Sequence, residues 1–256
     1  LQHSFENGYG FYSEHLDELS ELFRNSLESD CLGVVLATAS AITEYVDIFA
    51  EDVAPLLQPI IDATSEILSS DPSFELLNLF KVLVDCLESV EDSTKYFQLM
   101  FKILMHSSPK DMCPVIRCIR ALCVKGEDVL EVVQNLFQVL TGLIESPYSD
   151  IGGEAAECIA ALATKCPEDF DDYALMFGTW LVNHFESSPE LSCSCINAYA
   201  MLLEDHSELL SSITSQAEDA LLRIAQEDTI FLSKSDSAIR PGKAACLICR
   251  ILVAYP

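Results

Sequence analysis

Four aspartates recur along this chain at a nearly fixed interval: Asp30, Asp71, Asp111 and Asp150 stand 41, 40 and 39 residues apart. Pro189, in the pair Ser188-Pro189, takes the next equivalent place, 39 residues beyond Asp150. Each marker separates two stretches whose apolar residues return with helical spacing. A unit of about 40 residues made of two helices cannot bury its apolar face alone, so each unit must stack on the next. The expected fold is therefore all-α: an α-solenoid of about six antiparallel helix pairs wound into a right-handed superhelix. Such a chain usually works as a binding surface, and the question becomes what that surface binds.

The pairs read, in order, as residues 13–49, 53–90, 93–124, 128–165, 168–205 and 207–254. Val53, Leu56, Leu57, Ile60, Ile61, Thr64, Ile67 and Leu68 follow the i, i+3, i+4, i+7 rule of a helix with one buried stripe. Asp71-Pro72, Ser108-Pro109, Ser146-Pro147 and Ser188-Pro189 set a helix-capping residue beside a proline at the turn inside a pair. Proline cannot continue the helix before it, so the chain must turn there. Residues 227–239 interrupt the rhythm with a polar run expected to form a longer loop.

Charge is distributed unevenly. The chain carries 41 acidic and 14 basic residues, a formal net charge of −27. Residues 1–80 hold 15 acids against the single base Arg24, and residues 126–222 hold 18 acids against Lys165 alone. Nucleic-acid phosphates and anionic membrane both require a basic patch, so neither suits this chain. The complementary partner is a basic protein segment. Half of the residues are hydrophobic, which rules out a disordered acidic tail.

Motif by motif, no catalytic constellation emerges, and an enzyme, a metal site or a cofactor is not expected. The histidines are dispersed and no G-x-S-x-G elbow is present. Pro241-Gly242-Lys243 lacks the upstream glycine of a phosphate loop. Cys246 and Cys249 have the spacing of half a zinc site, but no second pair accompanies them. They read as core cysteines in an apolar helix, as do Cys193, Cys195, Cys113, Cys118 and Cys123. Eleven scattered cysteines, an odd number, fit reduced thiols and a location in cytoplasm and nucleus. Residues 1–6 lack the basic start and apolar run of a secretory leader. The longest apolar run, residues 244–255, contains Arg250 and falls short of a membrane span. With no initiator Met and a helical pattern running to its end, the sequence reads as part of a longer solenoid. Trp180, at helical spacing with Tyr173, Phe177 and His184, reads as a core residue between repeats.

Two runs carry a family likeness: VAPLLQPIIDATSEILSSDPSFELLNLFKVLVDCLESV at 53–90 and EAAECIAALATKCPEDFDDYALMFGTWLV at 154–182. With the acidity, they make the chain resemble the HEAT-repeat nuclear transport receptors of the importin-β (karyopherin-β) family. The Val-Arg pair that many HEAT repeats carry early in the second helix is approximated only by Val115-Ile116-Arg117, and Gly152-Gly153-Glu154 lacks it. The resemblance implies basic localisation signals bound by acidic inner helices, release of cargo by the GTPase Ran in its GTP form, and weak contacts with phenylalanine-glycine nucleoporins. If the second helix of each pair lines the concave face, the cargo-binding acids are Glu44, Asp47, Asp85, Glu88, Glu154, Glu157, Glu204 and Asp205. The alternative is a HEAT-repeat regulatory or assembly scaffold, of the phosphatase-scaffold or chromosome-organising type, indifferent to Ran.

Overall fold

A computed structural model describes residues 15–29, 31–127, 129–226 and 236–255. Among them the chain is helical, with no strand beyond an isolated bridge between Val90 and Gly126. The helices are α1 (Leu16–Leu27), α2 (Leu32–Leu68), α3 (Phe74–Cys86), α4 (Ser93–His106), α5 (Pro109–Lys125) and α6 (Val129–Ile144). They continue with α7 (Ser149–Lys165), α8 (Pro167–Asn183), α9 (Pro189–Asp205), the single turn α10 (Ser207–Leu210), α11 (Thr214–Ala225) and α12 (Asp236–Ala254). No helix is long and apolar enough to cross a membrane among the described residues. The all-α solenoid is thus the observed fold class. Asp30 and residues 227–235 lie outside the described residues.

The chain forms two compact units. One comprises Leu1–Ser107 with Lys125–Asp128, the other Ser108–Val124 with Val129–Pro256. In the first, α2 packs against α1 and α3. Leu76, Leu79, Phe80, Leu83 and Val84 of α3 and Tyr96, Phe97 and Met100 of α4 are buried, and Phe80 meets Tyr96 edge-on at 5.6 Å. Ser73 caps α3 by accepting from the Leu76 N–H at 3.3 Å. Asp92 enters α4 in the left-handed region, φ 48°, which a short polar side chain tolerates better than most.

In the second unit α7 packs on α6, α8 and α9, while α9 and α11 both pack on α12. The core of α7 is small: Ala155, Ala156, Cys158, Ala160 and Ala163 are all buried. Small side chains let the helix axes approach, and Gly153 takes this furthest. A Cβ there would meet Ser194 Cβ and Oγ on α9 at 3.0 Å. Of the two glycines standing in place of a Val-Arg pair, Gly153 serves this α7–α9 contact, while a Cβ on Gly152 would first meet the Ile144 carbonyl of α6 at 3.2 Å. Prolines 109, 167 and 189 open α5, α8 and α9 at their first positions, where a missing N–H costs nothing.

Three expected boundaries move. Residues 49–53 were expected to separate two helices, yet α2 runs through them from Leu32 to Leu68. Phe-Ala-Glu-Asp-Val contains neither Gly nor Pro, so nothing in it stops a helix. The helix expected over 207–226 is instead α10, a 3₁₀ turn Ser211–Ile213 and α11. There the Ser211 and Thr214 hydroxyls donate to the carbonyls of Glu208 and Leu210, in competition with regular helix geometry. Finally, α12 starts at Asp236 and takes Pro241 inside it, shortening the expected loop.

Candidate protein-binding surface

Equivalent helices of successive repeats are joined by polar contacts across roughly one repeat length. In the second unit this ladder starts on α5. Cys113 Sγ–H donates to Asp150 at 3.6 Å, Arg117 Nε donates to Glu154 at 2.5 Å, and Arg120 pairs with both Glu154 and Glu157. Asn197 of α9 then donates to Glu157 at 3.1 Å, and Arg250 of α12 pairs with Glu204. On the other row of helices, the Trp180 indole N–H donates to Glu145 at 3.2 Å, Gln216 donates to Asn183 at 3.2 Å, and Arg223 grips Glu186 with two hydrogen bonds. The Arg223 contact holds the Glu186 carboxyl below the usual carboxylate range.

The structure brings only part of the expected cargo-binding set together. Glu154 and Glu157 are neighbours on α7, half-buried, and engaged by Arg117 and Arg120. Glu204 is paired with Arg250, and Asp205 ends α9 exposed. In the first unit Asp85 accepts from Lys81 one helical turn away at 2.5 Å, and Glu88 is exposed in the turn after α3. Glu44 and Asp47 belong to α2, but their side chains are outside the described residues. The arginines that engage Glu154, Glu157 and Glu204 lie 37 or 46 residues away, beyond the reach of local spacing, whereas Lys81 stands one turn from Asp85.

Exposed acids without such partners lie elsewhere. Asp169, Asp172, Glu190 and Glu208 are exposed and have no ion-pair partner among the described residues. Asp169 and Asp172 border a cavity of about 510 Å³ lined also by Phe137, Phe170, Tyr173 and Cys166. Phe137 and Tyr173 are tilted together at 4.7 Å, and Phe137 meets Phe170 edge-on at 5.7 Å. The stripe continues along α8: Phe170 on Phe177 at 5.9 Å, Phe177 stacked on Trp180 at 6.2 Å, Trp180 stacked on His184 at 4.1 Å. Trp180 is half-buried at the edge of this stripe, rather than sealed in the core. Residues 170, 173, 177, 180 and 184 step by three and four, a signal present in the sequence; the cavity that the stripe borders was not foreseen. His206, buried at 3 % exposure, holds Asp171 through Nδ1 at 3.1 Å and packs on Phe170.

The thiols are chemically quiet where they are buried. Burial, helped by Asp150, pushes the Cys113 thiol up to about 11, and burial raises Cys123 and Cys195 as well. Cys113, Cys118, Cys123, Cys193 and Cys195 are buried, as expected, and Cys158 and Cys166 are buried too. Cys246 and Cys249 are not: both are exposed, and they border a cavity with Leu203 and Glu204 of α9, while Ala244, Leu247 and Ile251 of α12 are buried. No group of His, Cys, Asp or Glu among the described residues has the arrangement of a metal site.

Comparison with known proteins yields the fold. No family model matches the chain, and no curated protein matches it. Solved structures do. An engineered protein from the Northeast Structural Genomics Consortium is similar with a TM-score of 0.62 at 14 % identity, over 92 % of this chain and 97 % of that one. A designed armadillo repeat protein is similar with a TM-score of 0.53 at 15 % identity, over 89 % of this chain and 98 % of that one. At this identity the likeness establishes a helical-repeat solenoid and no activity.

Proposed function

We propose that this solenoid is a non-enzymatic protein-binding module that receives basic peptide segments, and that it serves as part of an importin-β-like nuclear transport receptor. In this reading it shuttles between cytoplasm and nucleus, takes up Lys/Arg-rich localisation signals, and yields them to Ran in its GTP form. Phenylalanine-glycine nucleoporins would be its contacts in the pore. The observation that supports it is charge left over after internal pairing. The ladder consumes Arg117, Arg120, Arg223 and Arg250, while exposed carboxylates such as Asp169, Asp172, Glu190 and Glu208 stay unpaired. Anionic groups held on a rigid helical scaffold steer cationic partners and select against anionic ones.

The test is displacement. A labelled Lys/Arg-rich localisation peptide bound to the chain should be released by added Ran-GTP and not by Ran-GDP. Retention of the peptide in both cases would argue against the receptor role and for the second reading, a repeat scaffold. One observation favours that alternative. Glu154, Glu157, Glu204 and Asp85 are already neutralised by cations of the chain itself, so in part the acids serve the fold.

A further inference from the structure

We infer that the cavity between α6, α7 and α8 is a receptor for an arginine side chain of the basic partner. The inference rests on the basic-segment reading and names where on the surface it acts. Phe170, which is buried, lines the cavity together with Phe137 and Tyr173, and the exposed Asp169 and Asp172 line it as well. A guanidinium is planar, weakly hydrated, stacks on aromatic faces and donates through a fork matched to carboxylates. Rings and carboxylates converging on one cavity satisfy both halves of that chemistry, whereas an apolar side chain would leave the carboxylates unused.

Charge favours the same occupant. The first turns of α8 carry the partial positive charge of a helix N-terminus, about half a unit. Glu168, Asp169, Asp171 and Asp172 outweigh it, and only Asp171 has a partner, His206. Lys165 is exposed on the last turn of α7 and does not line the cavity. The volume, about 510 Å³, exceeds what one side chain fills and is of the size of small-ligand sites, so flanking peptide atoms fit as well.

The experiment uses a fluorescent arginine-rich nonapeptide and its citrulline counterpart, which keeps the shape and removes the charge. The double substitution Asp169→Asn/Asp172→Asn should weaken the arginine peptide about tenfold, and Tyr173→Leu about fivefold, while Tyr173→Phe stays within about twofold. Glu66→Gln/Glu75→Gln removes the same charge at exposed carboxylates outside this surface and should change affinity less than threefold. Citrulline binding should be weak and unmoved by the aspartate pair. Circular dichroism and unfolding midpoints establish that each variant is folded, and the exposed aspartate pair decides the matter if Tyr173→Leu is not. Equal weakening by the two charge pairs, or none by either, overturns the cavity while leaving the basic-segment reading intact. Failure of the unaltered protein to bind the arginine peptide at low salt overturns both.

Discussion

Two donors converge on one oxygen of Asp62: Lys95 Nζ and the Tyr96 hydroxyl, each at 2.7 Å, while Gln58 donates to that hydroxyl at 2.6 Å. Partial burial alone would raise the Asp62 carboxyl, but hydrogen bonds from Lys95 and Tyr96 outweigh it and bring the group below its ordinary value. A carboxylate with a depressed folded-state pKa stabilises the fold above its unfolded pKa of about 4 and loses that contribution as pH falls through the folded value. Asp62→Asn should therefore cost about 1 kcal/mol at pH 7, discounted for the exposure of the site. Urea unfolding of the two proteins from pH 7 to pH 3 should show the difference shrinking. A difference independent of pH would exclude the charged cluster as its source. None of this was legible in the sequence, where Asp62 lies 33 and 34 residues from Lys95 and Tyr96. The same holds for Glu154 and Arg117, whose spacing of one repeat becomes meaningful only once the helices are stacked.

Helices and their spacing were the readable scale, because apolar periodicity and proline-marked turns are local. The reading failed between Phe49 and Val53, where two helices were expected to part although no residue there opposes a helix. It also missed how closely α7 meets α9. Gly153→Ala places a Cβ 3.0 Å from Ser194 Cβ and Oγ, so Ser194 must give by a few tenths of an ångström in a packed α7–α9 contact. Strain should exceed the propensity gained, for a net loss of about 1 kcal/mol in urea unfolding. A stabilised variant would show that the contact is not tight. The ladder makes a second prediction. Arg120 serves Glu154 and Glu157, both half-buried, so Arg120→Ala should cost roughly 2 kcal/mol by leaving two carboxylates short of a partner. A loss below about 0.5 kcal/mol, the level of an ordinary exposed pair, would mean that the ladder contributes little.

For the whole molecule, composition announced the surface and misjudged one helix. Seven thiols are buried, Cys113, Cys118, Cys123, Cys158, Cys166, Cys193 and Cys195, whereas Cys31, Cys246 and Cys249 are exposed. Iodoacetamide at pH 8, followed by peptide mass mapping, should label these three first and Cys123, Cys158 and Cys195 only after denaturation. Early labelling of the latter would contradict the packing of α5, α7 and α9. Acidity was legible from residue counts alone, but not its division into carboxylates bound to internal arginines and carboxylates left for a partner. That division requires the stacked structure, and the binding claim rests on it. The most direct test is a titration of the unaltered protein with a labelled Lys/Arg-rich peptide at increasing salt. The account predicts saturable binding that weakens steeply as screening rises toward physiological ionic strength. No binding at low salt would mean that the free carboxylates serve only solubility, and it would contradict the account.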